Sequence, residues 1–166
     1  MSELTETAVV RRVPSVTEER LRVLSRRQPV SVTPGTSLAD CLRAIQRTGT
    51  GDSVFVCEPG GRLTGVLTER DIFGRIVAGH VDMSQPVEAL MTTDPHTLDL
   101  DETIRDAIVL MQTGRYRNVP LVDEDGQLVG VVRQSDIIKY LAESFPEELL
   151  NLPPRPNQRM KEPEGA

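Results

Sequence analysis

Tryptophan is absent from this chain, and two Tyr and three Phe are its only aromatic residues among 166 positions. A core made from such a composition must be packed from Val, Leu and Ile, which favours tight aliphatic contacts between strands and helices. Cysteine is nearly as scarce. Cys41 and Cys57 sit in apolar contexts, Ala-Asp-Cys-Leu and Phe-Val-Cys-Glu. They are too few for the disulfide framework of a small secreted domain and are expected to be buried, reduced thiols. No apolar run approaches the roughly 20 residues needed to span a bilayer, and no early stretch has the charged, apolar, small-residue order of a signal peptide. A cytoplasmic location without a membrane partner is therefore expected.

Positive charge is in deficit: 19 Lys and Arg face 25 Asp and Glu, for a formal charge of -6. Affinity for a phosphate backbone comes from clustered basic residues, so nucleic acid is not an expected partner. Catalytic signatures are missing as well. The chain has no nucleophile elbow, P-loop, Rossmann glycine fingerprint or metallohydrolase helix, and no Cys or Ser is set beside an activating base. His80 and His96 lack Cys, His or acidic neighbours at ligand spacing. Neither enzyme activity nor a metal is expected, and no cofactor is required.

What the chain does contain is a copy of itself. Gln28-Pro29-Val30-Ser31-Val32-Thr33-Pro34-Gly35-Thr36-Ser37-Leu38 returns as Asp94-Pro95-His96-Thr97-Leu98-Asp99-Leu100-Asp101-Glu102-Thr103-Ile104, in each case a proline, a short strand and a helix start. Val54-Phe55-Val56 followed by Gly61-Arg62-Leu63-Thr64-Gly65-Val66-Leu67 returns as Val119-Pro120-Leu121 followed by Gly126-Gln127-Leu128-Val129-Gly130-Val131-Val132. The offset drops by one between the two matches, which places one extra residue in the first copy near Thr48. Repetition on this scale settles the architecture before any single motif is weighed.

Each copy reads as strand, helix, strand, strand, helix. Leu38, Leu42 and Ile45 recur at helical spacing, as do Ile104, Ile108 and Met111, and Gly49 and Gly114 are expected to end those helices. Glu58-Pro59-Gly60-Gly61 and Asp123-Glu124-Asp125-Gly126 are turn chemistry inside hairpins. Ile72, Phe73, Ile76 and Val77, like Ile137, Ile138 and Leu141, supply a closing amphipathic helix. A unit this small buries too little surface alone, so the fold class is α+β, with two tandem β-α-β-β-α repeats packed through their sheets as a pseudo-two-fold pair. The expected boundaries are an arm over 1–26, repeats over 27–85 and 86–150, and a Pro-rich, disordered tail over 151–166. Within the arm, Val16 to Arg27 is expected as a short charged helix with Leu21 and Leu24 as a docking stripe.

The second hairpin strand of the first copy runs into Gly65-Val66-Leu67-Thr68-Glu69-Arg70-Asp71-Ile72, and the second copy supplies Gly130-Val131-Val132-Arg133-Gln134-Ser135-Asp136-Ile137. Glycine, two aliphatics and Thr-x-x-Asp in this strand order, over roughly 27–143, resemble the CBS domain family. An ionised Asp offers acceptors suited to the paired hydroxyls of a ribose, with the Thr68 hydroxyl nearby, and a helix N-terminus beside it favours phosphate. The resemblance implies Asp71 and Asp136 as ribose ligands. Thr97 and Leu98 of the opposite copy would read adenine at the Asp71 site, and Ser31 and Val32 would do so at the Asp136 site. Phosphates would meet Arg117, Arg70 and Arg133.

The resemblance further implies a non-catalytic sensor of AMP, ADP, ATP or S-adenosylmethionine that acts as a homodimer on a separate effector protein. The dimer contact would run through Ile76, Val77, Ile138 and Leu141. Three positions depart from the pattern: Arg133 replaces Thr or Ser, Asn118 stands where His is frequent, and Asp52 takes the place that Arg117 holds in the second copy. Thr68 with Asp71 also has the form of a helix capping box, which needs no ligand. The alternative function is an interaction scaffold with degenerate sites.

Overall fold

The computed structural model describes residues 18–24, 28–47, 52–79 and 81–144. Gly49, His80, the extra residue near Thr48 and the tail over 151–166 lie outside them. The first repeat runs β1 (Ser31–Val32), α1 (Leu38–Arg47), β2 (Ser53–Cys57), β3 (Leu63–Thr68) and α2 (Glu69–Val77). After β4 (Thr92–Thr93), the second runs α3 (Ile104–Gly114), β5 (Asn118–Val122), β6 (Leu128–Arg133) and α4 (Gln134–Ser144).

The repetition survives in detail. β2 pairs antiparallel with β3 and β5 with β6, and the register slips at Val56/Cys57 in one hairpin and at Leu121/Val122 in the other. β1 runs parallel to β2. Its counterpart in the second copy shrinks to one parallel bridge, Leu98 to Leu121, while the preceding residues Thr92 and Thr93 pair with Val66 and Gly65 of the first repeat. Asp94 turns the chain at φ 46°, and Pro95 has no N–H to give a ladder, so the strand breaks between its two partners.

Alternation along β2 divides its side chains between two cores. Val54 and Val56 join Leu38, Cys41, Ile45, Leu67, Ile72 and Val87 in the first repeat. Phe55 and Cys57 point the other way and meet Val131, with Leu63, Val66 and Leu128 packed around them. That second layer joins the sheets of the two repeats, and Arg62 bridges to Gln127 beside it. As expected, Leu38, Ile45, Ile104 and Met111 are buried and both thiols are buried and free. Phe73, Ile76, Val77 and Ile138 are exposed, whereas Ile72 and Ile137 of the closing helices are buried and Tyr140 and Leu141 pack against the second core.

The segment ahead of each repeat docks on the other repeat. Leu21, in a 3-10 turn over Leu21–Val23, is fully buried in the core of the second repeat with Ile104, Val119 and Leu121. The Leu21 N–H donates to the Glu102 carbonyl at 2.9 Å, and the Ile104 N–H donates to that of Glu19 at 2.9 Å. Val87, in the matching turn over Val87–Ala89, is buried in the first repeat. Its N–H donates to Thr36 O at 2.8 Å, and Leu38 N–H donates to Gln85 O at 2.9 Å. Of the helix expected over Val16 to Arg27, the described residues 18–24 hold this 3-10 turn, and the rest of the expected span lies outside the described residues. Leu21 carries the docking and Leu24 packs beside it.

One helix end differs from expectation. Gly114 closes α3 in a right-handed conformation, and the left-handed residue is Arg115, at φ 55°. Glycine is needed at 114 for space: a Cβ there would lie 1.9 Å from the Tyr116 ring.

Candidate functional site

β3 delivers Thr68 to the first turn of α2, where sequence and local chemistry agree on a cap. The Asp71 N–H donates to Thr68 Oγ1 at 3.3 Å, and Thr68 donates to Asp71 Oδ2 from its N–H at 2.8 Å and its hydroxyl at 2.7 Å. The capping box is therefore formed. It occupies Oδ2 and leaves Oδ1 for another donor, so capping and ligand binding are compatible roles for one carboxylate.

Thr68, Arg70 and Asp71 line a cavity of about 550 Å³ whose opposite wall belongs to the second repeat. Arg117 and Asn118 at the start of β5, Pro120 within it, and Asp94, Pro95 and His96 after β4 form that wall. The size suits a small organic ligand. Arg117 Nη1 stands 3.9 Å from the Asp52 carboxylate. Asn118 donates to that same carboxylate and, at 2.9 Å, to Ser53 Oγ, tying the two repeats together at the cavity edge.

Of the ten expected ligand residues, the structure brings Thr68, Asp71, Arg70 and Arg117 together. Thr97 and Leu98 do not line this cavity. Leu98 lies in the second core, and its main chain is committed to β5: its N–H donates to Pro120 O at 3.1 Å and its carbonyl accepts from Val122 N at 2.9 Å. The residues reaching the cavity lie just upstream, at 94–96. Ser31 and Val32, expected at the Asp136 site and not at this one, are paired with Phe55 and Val56 of β2.

Asp136 and Arg133, expected at the other site, do not line this cavity. Arg133 is only 9% exposed, and its N–H donates to Asp136 Oδ2 at 3.2 Å, so half of a capping box persists without the hydroxyl. A second cavity, about 460 Å³, lies between α3 and α4 against Ile108, Met111, Ile138 and Leu141 and does not include Asp136.

Sequence reasoning missed the aromatic edge of the first cavity. His96 and Tyr116, far apart in sequence, stand with ring centroids 6.0 Å apart and tilted by 46°. The available signal was Tyr116 itself, one of five aromatics in the chain, next to Arg117. Phe73, exposed on α2, lines the same cavity.

Neither cysteine lines the cavity or resembles an activated nucleophile. Burial pushes the Cys41 thiol up to about 11 and raises the Cys57 thiol as well, opposite to what a reactive thiolate requires. Among the described residues, no three His, Cys, Asp or Glu side chains are grouped to hold a metal ion, and no helix is long and apolar enough to cross a membrane.

An uncharacterised 17.7 kDa protein of Acidianus ambivalens is 30% identical over 110 residues, 66% of this chain and 65% of that relative. A CBS domain protein of Pyrobaculum aerophilum, solved in complex with AMP, superposes with a TM-score of 0.66 at 25% identity, over 75% of this chain and 99% of that one. The CBS domain pair of protein MJ0100, solved with 5′-methylthioadenosine and S-adenosyl-L-methionine, gives 0.67 at 20% identity, over 74% and 99%; at that identity it speaks for the fold. The CBS domain model matches residues 16–78 and 87–143, one match over each half of the repeated pattern, the first beginning within the arm. By sequence and architecture, the chain belongs to the CBS domain family, as a tandem pair of its repeats.

Proposed function

We propose that this pair is a non-catalytic regulatory module that binds an adenosine-type ligand between its repeats. The observation that carries this reading is the cavity itself, which sets Thr68 and Asp71 of one repeat opposite Arg117 and residues 94–96 of the other. In this reading Asp71 Oδ1 accepts from a ribose hydroxyl and Val66, Pro95 and Pro120 offer apolar contact to adenine. A phosphate meets Arg70, Arg117 and the N-terminus of α2. The AMP, 5′-methylthioadenosine and S-adenosyl-L-methionine held by the two solved CBS proteins agree with that class.

A ligand touching both repeats stabilises one arrangement of them by its differential affinity for that arrangement. The change is passed on through a homodimer formed by Ile76, Val77, Ile138 and Leu141 of α2 and α4, the first three of them exposed, to a separate effector protein in the cytoplasm. The same exposed face supports a second reading, an interaction scaffold without a ligand.

Thermal unfolding against AMP, ADP, ATP, S-adenosylmethionine and GTP as control separates the two. Ligand at about 100 times Kd stabilises by ~2.7 kcal/mol. Asp71→Asn should remain folded and bind one to two orders of magnitude more weakly, in keeping with the ~1.5–3 kcal/mol of a charged hydrogen bond. Cooperative unfolding that no adenosine compound shifts would leave the scaffold.

A further inference from the structure

We infer that Asp52 makes the cavity selective for adenosine compounds with a short 5′ substituent, uncharged, cationic or carrying a single phosphate, and that it rejects polyphosphates. The inference rests on the ligand reading of the cavity and adds its specificity.

Asp52 holds the position in the first repeat that Arg117 holds in the second, so one of two matching cations is replaced by an acid. Its carbonyl accepts from the Glu69 N–H at 2.9 Å, at the first residue of α2, which places it beside the turn that carries Asp71. The matching bond in the second repeat, Gln134 N–H to Arg117 O at 2.9 Å, shows the same geometry with the opposite charge. Its side chain is held in place as well, because Asn118 donates to the carboxylate and is itself anchored on buried Ser53.

Charge around the cavity favours the same ligands. Its acids are Asp52, Glu69, Asp71 and Asp94. Its guanidinium groups are those of Arg70, Arg115 and Arg117, and the last already faces Asp52 at 3.9 Å. A tail leaving a ribose held on Asp71 toward Arg117 therefore meets a fixed carboxylate beside the cation. One phosphate can be balanced by Arg117 with Arg70. A triphosphate extends several negative charges along a wall that has no excess of positive charge, and like charges juxtaposed at a binding surface are a strong source of rejection.

The experiment is isothermal titration of the full chain with AMP, ATP and 5′-methylthioadenosine, for the unsubstituted protein and for Asp52→Asn, whose amide oxygen still accepts from Asn118. The unsubstituted protein should bind AMP and 5′-methylthioadenosine at least about tenfold tighter than ATP, a gap of ~1.4 kcal/mol or more. Asp52→Asn should tighten ATP about tenfold while 5′-methylthioadenosine stays within about twofold, a change in ranking that a purely structural role for Asp52 would not produce. ATP bound as tightly as AMP by the unsubstituted protein overturns the inference even if the substituted chain does not fold. An equal change for all three ligands on substitution also overturns it. Failure of every adenosine compound to bind defeats the ligand reading itself, an outcome distinct from a wrong order of affinities.

Discussion

Truncating Leu21 to Ala asks whether the arm is part of the second repeat's core or merely lies on it. Leu21 is 0% exposed and sits in one cluster with Leu98, Ile104, Ala107, Val119, Leu121 and Val132. Removing three carbons forfeits ~0.8 kcal/mol each in transfer free energy, about 2.4 kcal/mol together. The cavity left behind adds ~1 kcal/mol if the arm's hydrogen bonds hold its backbone in place. The expected loss is thus ~3–4 kcal/mol, a large part of the roughly 5–15 kcal/mol that holds a domain folded. At ~2–4 °C per kcal/mol for a chain of this size, Tm should fall by roughly 6–16 °C.

Urea unfolding followed by far-UV circular dichroism supplies the free energy, with Arg22→Ala as control. Arg22 pairs with Asp101 on the surface, and exposed pairs contribute at most ~1 kcal/mol. A loss below about 1 kcal/mol for Leu21→Ala, or one no larger than the control's, would refute the arm as a structural element.

Gly114→Ala should displace the Tyr116 ring, because the new Cβ would lie 1.9 Å from it, while better helix propensity offsets part of the strain. The expected result is a folded protein with altered near-UV tyrosine circular dichroism and weaker ligand binding; an unchanged tyrosine signal would contradict the packing described. With the Cys41 thiol raised from 9.0 to about 11 by burial, the folded state favours the neutral thiol. That contribution is whole below pH 9 and is lost as pH rises toward 11, so urea unfolding should show a falling stability across this window that is shallower in Cys41→Val. Ellman's reagent at pH 8 should find neither thiol until the protein unfolds.

Local chemistry was legible in the sequence wherever a residue's neighbours in the chain are also its neighbours in space. Thr68 and Asp71 lie three apart and formed the expected box, and the helical spacing of Leu38 and Ile45 placed both in the core. The hairpins followed from their turn residues, and the repeat carried all of this into the second half. What stayed hidden depends on contacts between distant segments. Leu21 meets Glu102 and Ile104 far along the chain, and nothing in residues 18–24 announces which repeat they will cover. The family resemblance implied Leu98 as an adenine contact, but its main chain is bonded to β5 and residues 94–96 are the ones at the cavity. The left-handed residue after α3 is Arg115 and not Gly114, whose missing side chain makes room for the Tyr116 ring, a contact that spacing along the chain does not announce.

The exchange of leading segments also bears on how such a chain arises. A single repeat with its own arm would have an unsealed core and a loose apolar segment, since Leu21 finds its place only in the second repeat and Val87 only in the first. Two separate copies would satisfy each other by trading arms, at a cost in association entropy and with a stability that depends on concentration. Joining them into one polypeptide makes that trade intramolecular, fixes the partner, and frees each copy to diverge at its own half of the cavity. Asp52 and Arg117, opposite charges at matching positions, are what such divergence looks like once the two halves no longer have to be the same molecule.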